Sequence, residues 1–194
     1  MVSQTGRSVK TRLIFILLLL LIGCSPTEPE VEGCTDVANE WNIQIIARMQ
    51  PWEVLDWIAD EENYIGVSEE ASDDYDSLDI PDPPWNGCVN CINAYFPHTE
   101  WDSLFGDNFT QEYQSNSFCE DKEWILIIDA NSQGPMELEF IFNNFTNSIE
   151  NGLNLELQLY EDGNYLGTFD DTFIIESNLQ SNTPKEFLIK VAPI

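Results

Sequence analysis

The chain reads as an all-β protein: an antiparallel β-sandwich, Ig-like or jelly-roll-like, of about eight strands with a long acidic loop. Three observations predict this. Apolar residues recur with period two in several short runs, as in strands that bury one face. Asn, Gly, Ser and Asp, which favour turns, separate those runs. Only one stretch suits helix: residues 51–59 place Pro51 at a first helical position and space Trp52, Leu55 and Ile58 by threes, which predicts a helical turn or else an irregular loop.

The elements follow in chain order. Trp41, Ile43, Ile45 and Ala47 alternate with Asn42, Gln44 and Ile46, the first strand. Residues 89–96 and 123–129 supply two more. Met136, Leu138, Phe140 and Phe142 alternate with Glu137, Glu139 and Ile141. Leu153, Leu155, Leu157 and Leu159 alternate with Asn154, Glu156, Gln158 and Tyr160, the cleanest case. Asp162-Gly163-Asn164 then precedes residues 165–169, a hairpin signal because the turn needs positive φ, which Gly and Asn tolerate. Residues 172–176 and 186–191 complete the set. Trp41 and Trp124 lie on strands and belong to the core, which leaves Trp52, Trp57, Trp85 and Trp101 in loops.

Composition narrows the function class. The chain carries 35 acidic and 7 basic residues, a formal charge of −28, so nucleic acid is excluded as a partner for want of clustered Lys and Arg. An apolar content of 43% with 12% aromatics is too high for a disordered acidic chain and predicts a folded domain. Arg7, Lys10 and Arg12 precede an apolar run that ends at Gly23-Cys24 and is shorter than the roughly 20 residues that cross a bilayer. Leu21-Ile22-Gly23-Cys24 resembles the lipobox of bacterial lipoproteins. That resemblance implies cleavage before Cys24, acylation of that cysteine, and residence at the outer membrane, favoured by Ser25 after the lipidated cysteine. The expected organisation is a leader over 1–23, the acylated Cys24 with an acidic Pro-containing tether over 24–33, and one domain over 34–194.

Four cysteines remain: Cys34, Cys88, Cys91 and Cys119. In an exported chain they read first as two disulfides, with three pairings open. Cys88-Val89-Asn90-Cys91 also has zinc-ligand spacing and the spacing of a redox dithiol, though no second C-x-x-C completes a zinc site and no strand-then-helix context supports the redox motif.

Between Glu69 and Asp82 half of the positions are carboxylates. Such oxygen density suits calcium, with Glu69, Glu70, Asp73, Asp74, Asp76 and Asp79 as candidate ligands; a solvated acidic loop is the alternative. No Gly follows Asp74-Tyr75-Asp76, so the EF-hand pattern is not met.

The blocks Asn63-Tyr-Ile-Gly-Val-Ser-Glu-Glu-Ala-Ser-Asp-Asp-Tyr-Asp76, Asp79-Ile-Pro-Asp-Pro-Pro84 and Ala94-Tyr-Phe-Pro-His-Thr-Glu-Trp101 resemble, in order, those of a recurring β-sandwich domain. That domain sits near the C-terminal end of large secreted proteins of Gram-negative bacteria, often before a type IX secretion sorting tail. The resemblance spans about residues 41–192 and implies the fold, with little about chemistry. Asp74 stands where the pattern has Gly, and no sorting tail follows Ile194, so the lipid on Cys24 is the expected anchor.

Other chemistry is sparse. His98 is the one histidine, and on an extended backbone His98, Glu100 and Asp102 would share a side, a weak metal constellation set against a turn histidine with a satisfied ring. Trp85 and Trp101 are candidates for stacking on sugar rings. No nucleophile elbow is present, no catalytic residue is assigned, and acid pairs are too abundant to be diagnostic. The expectation is a lipid-anchored, non-catalytic envelope module that binds a surface glycan or protein or serves structure, with calcium as the only candidate cofactor. A carbohydrate-binding module or a small carboxylate-dependent glycoside hydrolase is the alternative.

Overall fold

Eleven strands account for the regular structure of the computed structural model, which describes residues 37–54, 56–84, 88–101, 104, 106–145 and 154–194. They are β1 (Trp41–Met49), β2 (Ile58–Ser68), β3 (Ile80–Pro81), β4 (Ile92–Pro97), β5 (Asn108–Ser115) and β6 (Lys122–Ala130). There follow β7 (Gly134–Asn143), β8 (Leu155–Glu161), β9 (Asn164–Phe169), β10 (Phe173–Leu179) and β11 (Lys185–Pro193). Hydrogen bonding runs in the order β10-β7-β1-β2-β5-β4-β6-β11-β8-β9, with β3 on β5. Every pair is antiparallel except β2 with β5.

The all-β class expected from period-two patterning is present, and eight of the strands are those the alternation marks. The count is higher because β2, β3 and β5 carry too many polar residues to show that pattern. The layers are also joined. Ile92, Asn93, Ala94 and Tyr95 of β4 pair with β6, whereas Phe96 and Pro97 of the same strand pair with β5, so the ladder passes without a break from one half to the other and the sheet is barrel-like. Where the path ends, at β9 and β10, aromatic contact takes over: Phe169 stacks on Phe173 at 3.6 Å and Phe173 on Phe140 at 4.6 Å.

Inward positions fill the space between the halves. Trp41, Ile43, Ile45 and Met49 of β1 are buried against Trp124, Leu126 and Ile128 of β6 and Phe187 and Ile189 of β11. Trp41 and Trp124 meet edge to face at 5.9 Å, and both are core residues as their strand positions predict. Burying a side chain of this size stabilises by about 1.5–3 kcal/mol each, which is how so acidic a chain holds together.

Of the stretch 51–59, described residues 51–54 and 56–57 take turn and bend rather than helix, the loop alternative of the two. Gln50 N donates to Pro135 O (3.0 Å) and Trp52 N to Gln133 O (3.1 Å), tying the link to the β6–β7 connection; Val54 N closes a turn on Pro51 O (2.9 Å), and β2 starts at Ile58. The approach is so close that a Cβ on Gly134 would lie 2.1 Å from Gln50 O. The β8–β9 hairpin is as predicted: Glu161 pairs with Asn164, and Asp162 and Gly163 carry φ of 47° and 78°.

Candidate functional site

The acidic segment after β2 is organised by its own carboxylates. Ser72 N and Leu78 N donate to Asp76 (2.7 Å each). Asp76 N (2.9 Å) and Tyr113 N (3.0 Å) donate to the two oxygens of Asp79. Ser115 N (2.9 Å) and Lys122 Nζ (2.7 Å) converge on Asp73 Oδ1. Orphan backbone donors in a loop must be satisfied somewhere, and short side chains with two acceptor oxygens do it here.

These environments shift the acids in opposite directions. Burial pushes the Asp79 carboxyl up to about 6, helped by the charges of Asp76 and Glu112 and opposed by the N–H bonds from Tyr113 and Asp76. For Asp73, burial raises the value, but hydrogen bonds from Lys122 and Ser115 outweigh it and hold the carboxyl below its ordinary range. Glu69, Glu70, Asp73, Asp74, Asp76 and Asp79 are not gathered into a cation cage. Among the described residues no group of three or more His, Cys, Asp or Glu side chains is placed to hold a metal ion.

His98 lies beside this loop and is fully engaged. Its Nδ1 meets Glu100 Oε1 at 2.7 Å and its Nε2 meets Glu112 Oε2 at 2.8 Å. The ring stacks flat on Trp101 at 3.5 Å, and Phe109 stands edge-on to both. Burial works against the charged ring; the Glu112 and then the Glu100 carboxylates more than offset it, so the imidazole titrates above its ordinary value. Glu100 in turn is lowered by His98. Residues 98–101 form a turn, with Trp101 N on His98 O at 3.3 Å, not the extended run that would set alternate side chains on one side. The third partner expected at Asp102 lies outside the described residues; the one the fold supplies is Glu112 of β5, 2% exposed. Trp101 gives one ring face to His98 and is partly buried on the core, so that face is not open to a sugar.

Asp60 and Asp82 line a cleft of about 710 Å³ together with Glu61, Glu62, Asn93 and Thr110. The register of β2 against β1 slips between Ile45 and Ala47, so β2 carries an extra residue there. Such a bulge re-aims side chains. Asp60 accepts from Ala94 N (2.8 Å), and Asp82 accepts from Asn93 Nδ2 (3.0 Å). Burial raises both carboxyls, and Asp60 adds its charge to the effect on Asp82. Sequence spacing could not have found this pair, because the bulge and the β4 crossing that bring them together leave no periodic mark.

Among the described residues Trp52 and Trp57 are the exposed indoles, at 64% and 43%. Trp57 borders a second cleft, of about 420 Å³, with Met136, Glu137, Glu176, Ser177 and Asn178. Cys88 and Cys91 lie at disulfide distance with Cα atoms 6.0 Å apart, and Cys119 is disulfide-bonded as well. The leader, Cys24, the tether, Cys34 and Trp85 lie outside the described residues.

No protein-family model, curated protein or solved structure matches the chain.

Proposed function

We propose that the chain is a lipid-anchored module of the bacterial outer membrane that binds a surface partner or serves structure and performs no catalysis. The observation that carries this reading is the engagement of the titratable groups in and beside the acidic loop. The one histidine is held on both nitrogens by carboxylates, and Asp73, Asp76 and Asp79 spend their oxygens on backbone N–H groups or Lys122. A general base must instead be free to reach a substrate proton. The basic leader ending at Gly23-Cys24 supports the anchor, and the likeness to a β-sandwich domain of large secreted proteins supports a binding or structural role. The test is Cys24→Ala with labelled palmitate. The parent is expected to take up label and sediment with outer membrane, and the variant to lose both; unlabelled parent in the soluble fraction refutes the reading.

A second reading, a carbohydrate-binding module, is favoured by Trp57, an exposed aromatic face beside Glu137, Glu176 and Asn178, which can accept from or donate to hydroxyls. Glycan-array binding that disappears in Trp57→Ala supports it, and an empty array removes it.

A further inference from the structure

The Cys88–Cys91 pair closes a ring over a sequence separation of 3, so it restrains very little of the unfolded chain. The loop does not need it. Asn131 Oδ1 accepts from Cys91 N (2.7 Å), Asn131 Nδ2 donates to Cys88 O (2.8 Å), and Asn131 N donates to Cys91 O (3.3 Å). One side chain and its own backbone thus grip both ends of the four-residue loop through groups other than sulfur. Asn90 at its tip sits at φ 58°, a conformation asparagine tolerates. The pair is also accessible: Cys88 is exposed, Cys91 half-buried, and Val89 between them is 83% exposed. Exposed disulfides that brace little are the ones that exchange with thiols.

We propose that Cys88–Cys91 is a thiol–disulfide exchange site, opened and remade by a dithiol partner, and that the fold stands without it. The incoming thiolate attacks the more exposed sulfur, Cys88 Sγ. The sulfur–sulfur bond breaks, its electron pair passes to Cys91 Sγ, and that thiolate takes up a proton. The partner's second thiolate then attacks the mixed disulfide, releasing Cys88 as a thiol, so the partner leaves oxidised and the chain gains two electrons and two protons. Among the described residues the pair stands at no helix N-terminus, the position that makes a cysteine a strong nucleophile, and so it acts as the partner's substrate. The hydrogen bonds from Asn131 hold the two thiols near each other, ready for re-oxidation.

The test uses the full oxidised chain under native conditions, titrated with dithiothreitol, trapped with N-ethylmaleimide and mapped by peptide mass spectrometry. Cys88 and Cys91 are expected to label at a reductant concentration at least about tenfold below that which labels Cys119, with the β circular-dichroism signal intact. Labelling of all three together, or loss of the β signal as Cys88 and Cys91 open, overturns the proposal. Thioredoxin with its reductase and NADPH serves as the protein dithiol. One NADPH consumed per chain supports exchange, and no consumption refutes it.

Discussion

Lowering the pH from 8 to 5 should make this protein more stable, because the groups that titrate in that window mostly favour the protonated form when folded. Asp79 is the clearest case. Its carboxyl is raised from 3.8 to about 6, so between those values the folded chain holds a proton that the unfolded chain has lost. Stability from this group is therefore gained as pH falls through 6 and is complete near 4. The full shift carries about 3 kcal/mol at 1.36 kcal/mol per unit, of which roughly 1.4 kcal/mol at most is gained by pH 5. Asp60 and Asp82, also raised, act in the same sense. So does His98: its raised value adds stability that is fully present below the unfolded pKa and lost as pH rises through the folded one. Asp73 and Glu100 are lowered, and their contributions fade only below the ordinary carboxylate range, outside the window. Urea unfolding followed by the fluorescence of buried Trp41 and Trp124, at fixed high salt to quench general repulsion, gives the profile. In Asp79→Ala the gain between pH 7 and 5 should shrink by the Asp79 share. A parent less stable at pH 5 than at pH 8, or a variant whose profile runs parallel to the parent's, would refute the reasoning.

Gly66→Ala should cost on the order of 3 kcal/mol in urea unfolding, because the added Cβ would lie 2.4 Å from Trp41 O and 2.7 Å from Tyr113 Cε1. His98→Ala should cost about 3 kcal/mol at pH 6 and less at pH 9, since it leaves Glu112, 2% exposed, without its partner at 2.8 Å; an equal loss at both values would separate the effect from charge. Non-reduced peptide mapping should return Cys88 linked to Cys91 and Cys119 linked to Cys34. Val37, three residues after Cys34, bridges Ser117, two residues before the disulfide-bonded Cys119, which is the ground for the second link.

The strands legible in the sequence are those with one dry face, such as β1, β7 and β8, whose inward Ile, Leu and Phe stand at every second position. The fold conceals β2 and β5 for a physical reason. They pair with each other in parallel near the middle of the ladder, and their contacts run through Asn63, Thr110 and Glu112, which are buried but polar. Thr110 Oγ1 donates to Glu62 O at 2.7 Å, satisfying a strand junction that hydrophobic periodicity cannot register. The helical reading of residues 51–59 fails because spacing by threes carries no information about the bonds from Gln50 and Trp52 to the β6–β7 connection. The site shows the same division. His98 with Glu100 is a local pair that spacing exposes, whereas Glu112 reaches the ring only through tertiary structure.

That the acidic loop is held by its own hydrogen-bonded carboxylates is tested most directly by thermal melting at pH 7.5 in EDTA and in millimolar calcium, with magnesium at matched ionic strength as control. The same melting temperature in calcium and magnesium, and little change from EDTA, is the result predicted. A rise specific to calcium would mean that Asp73, Asp76 and Asp79 leave their internal partners for a cation, and would contradict the account.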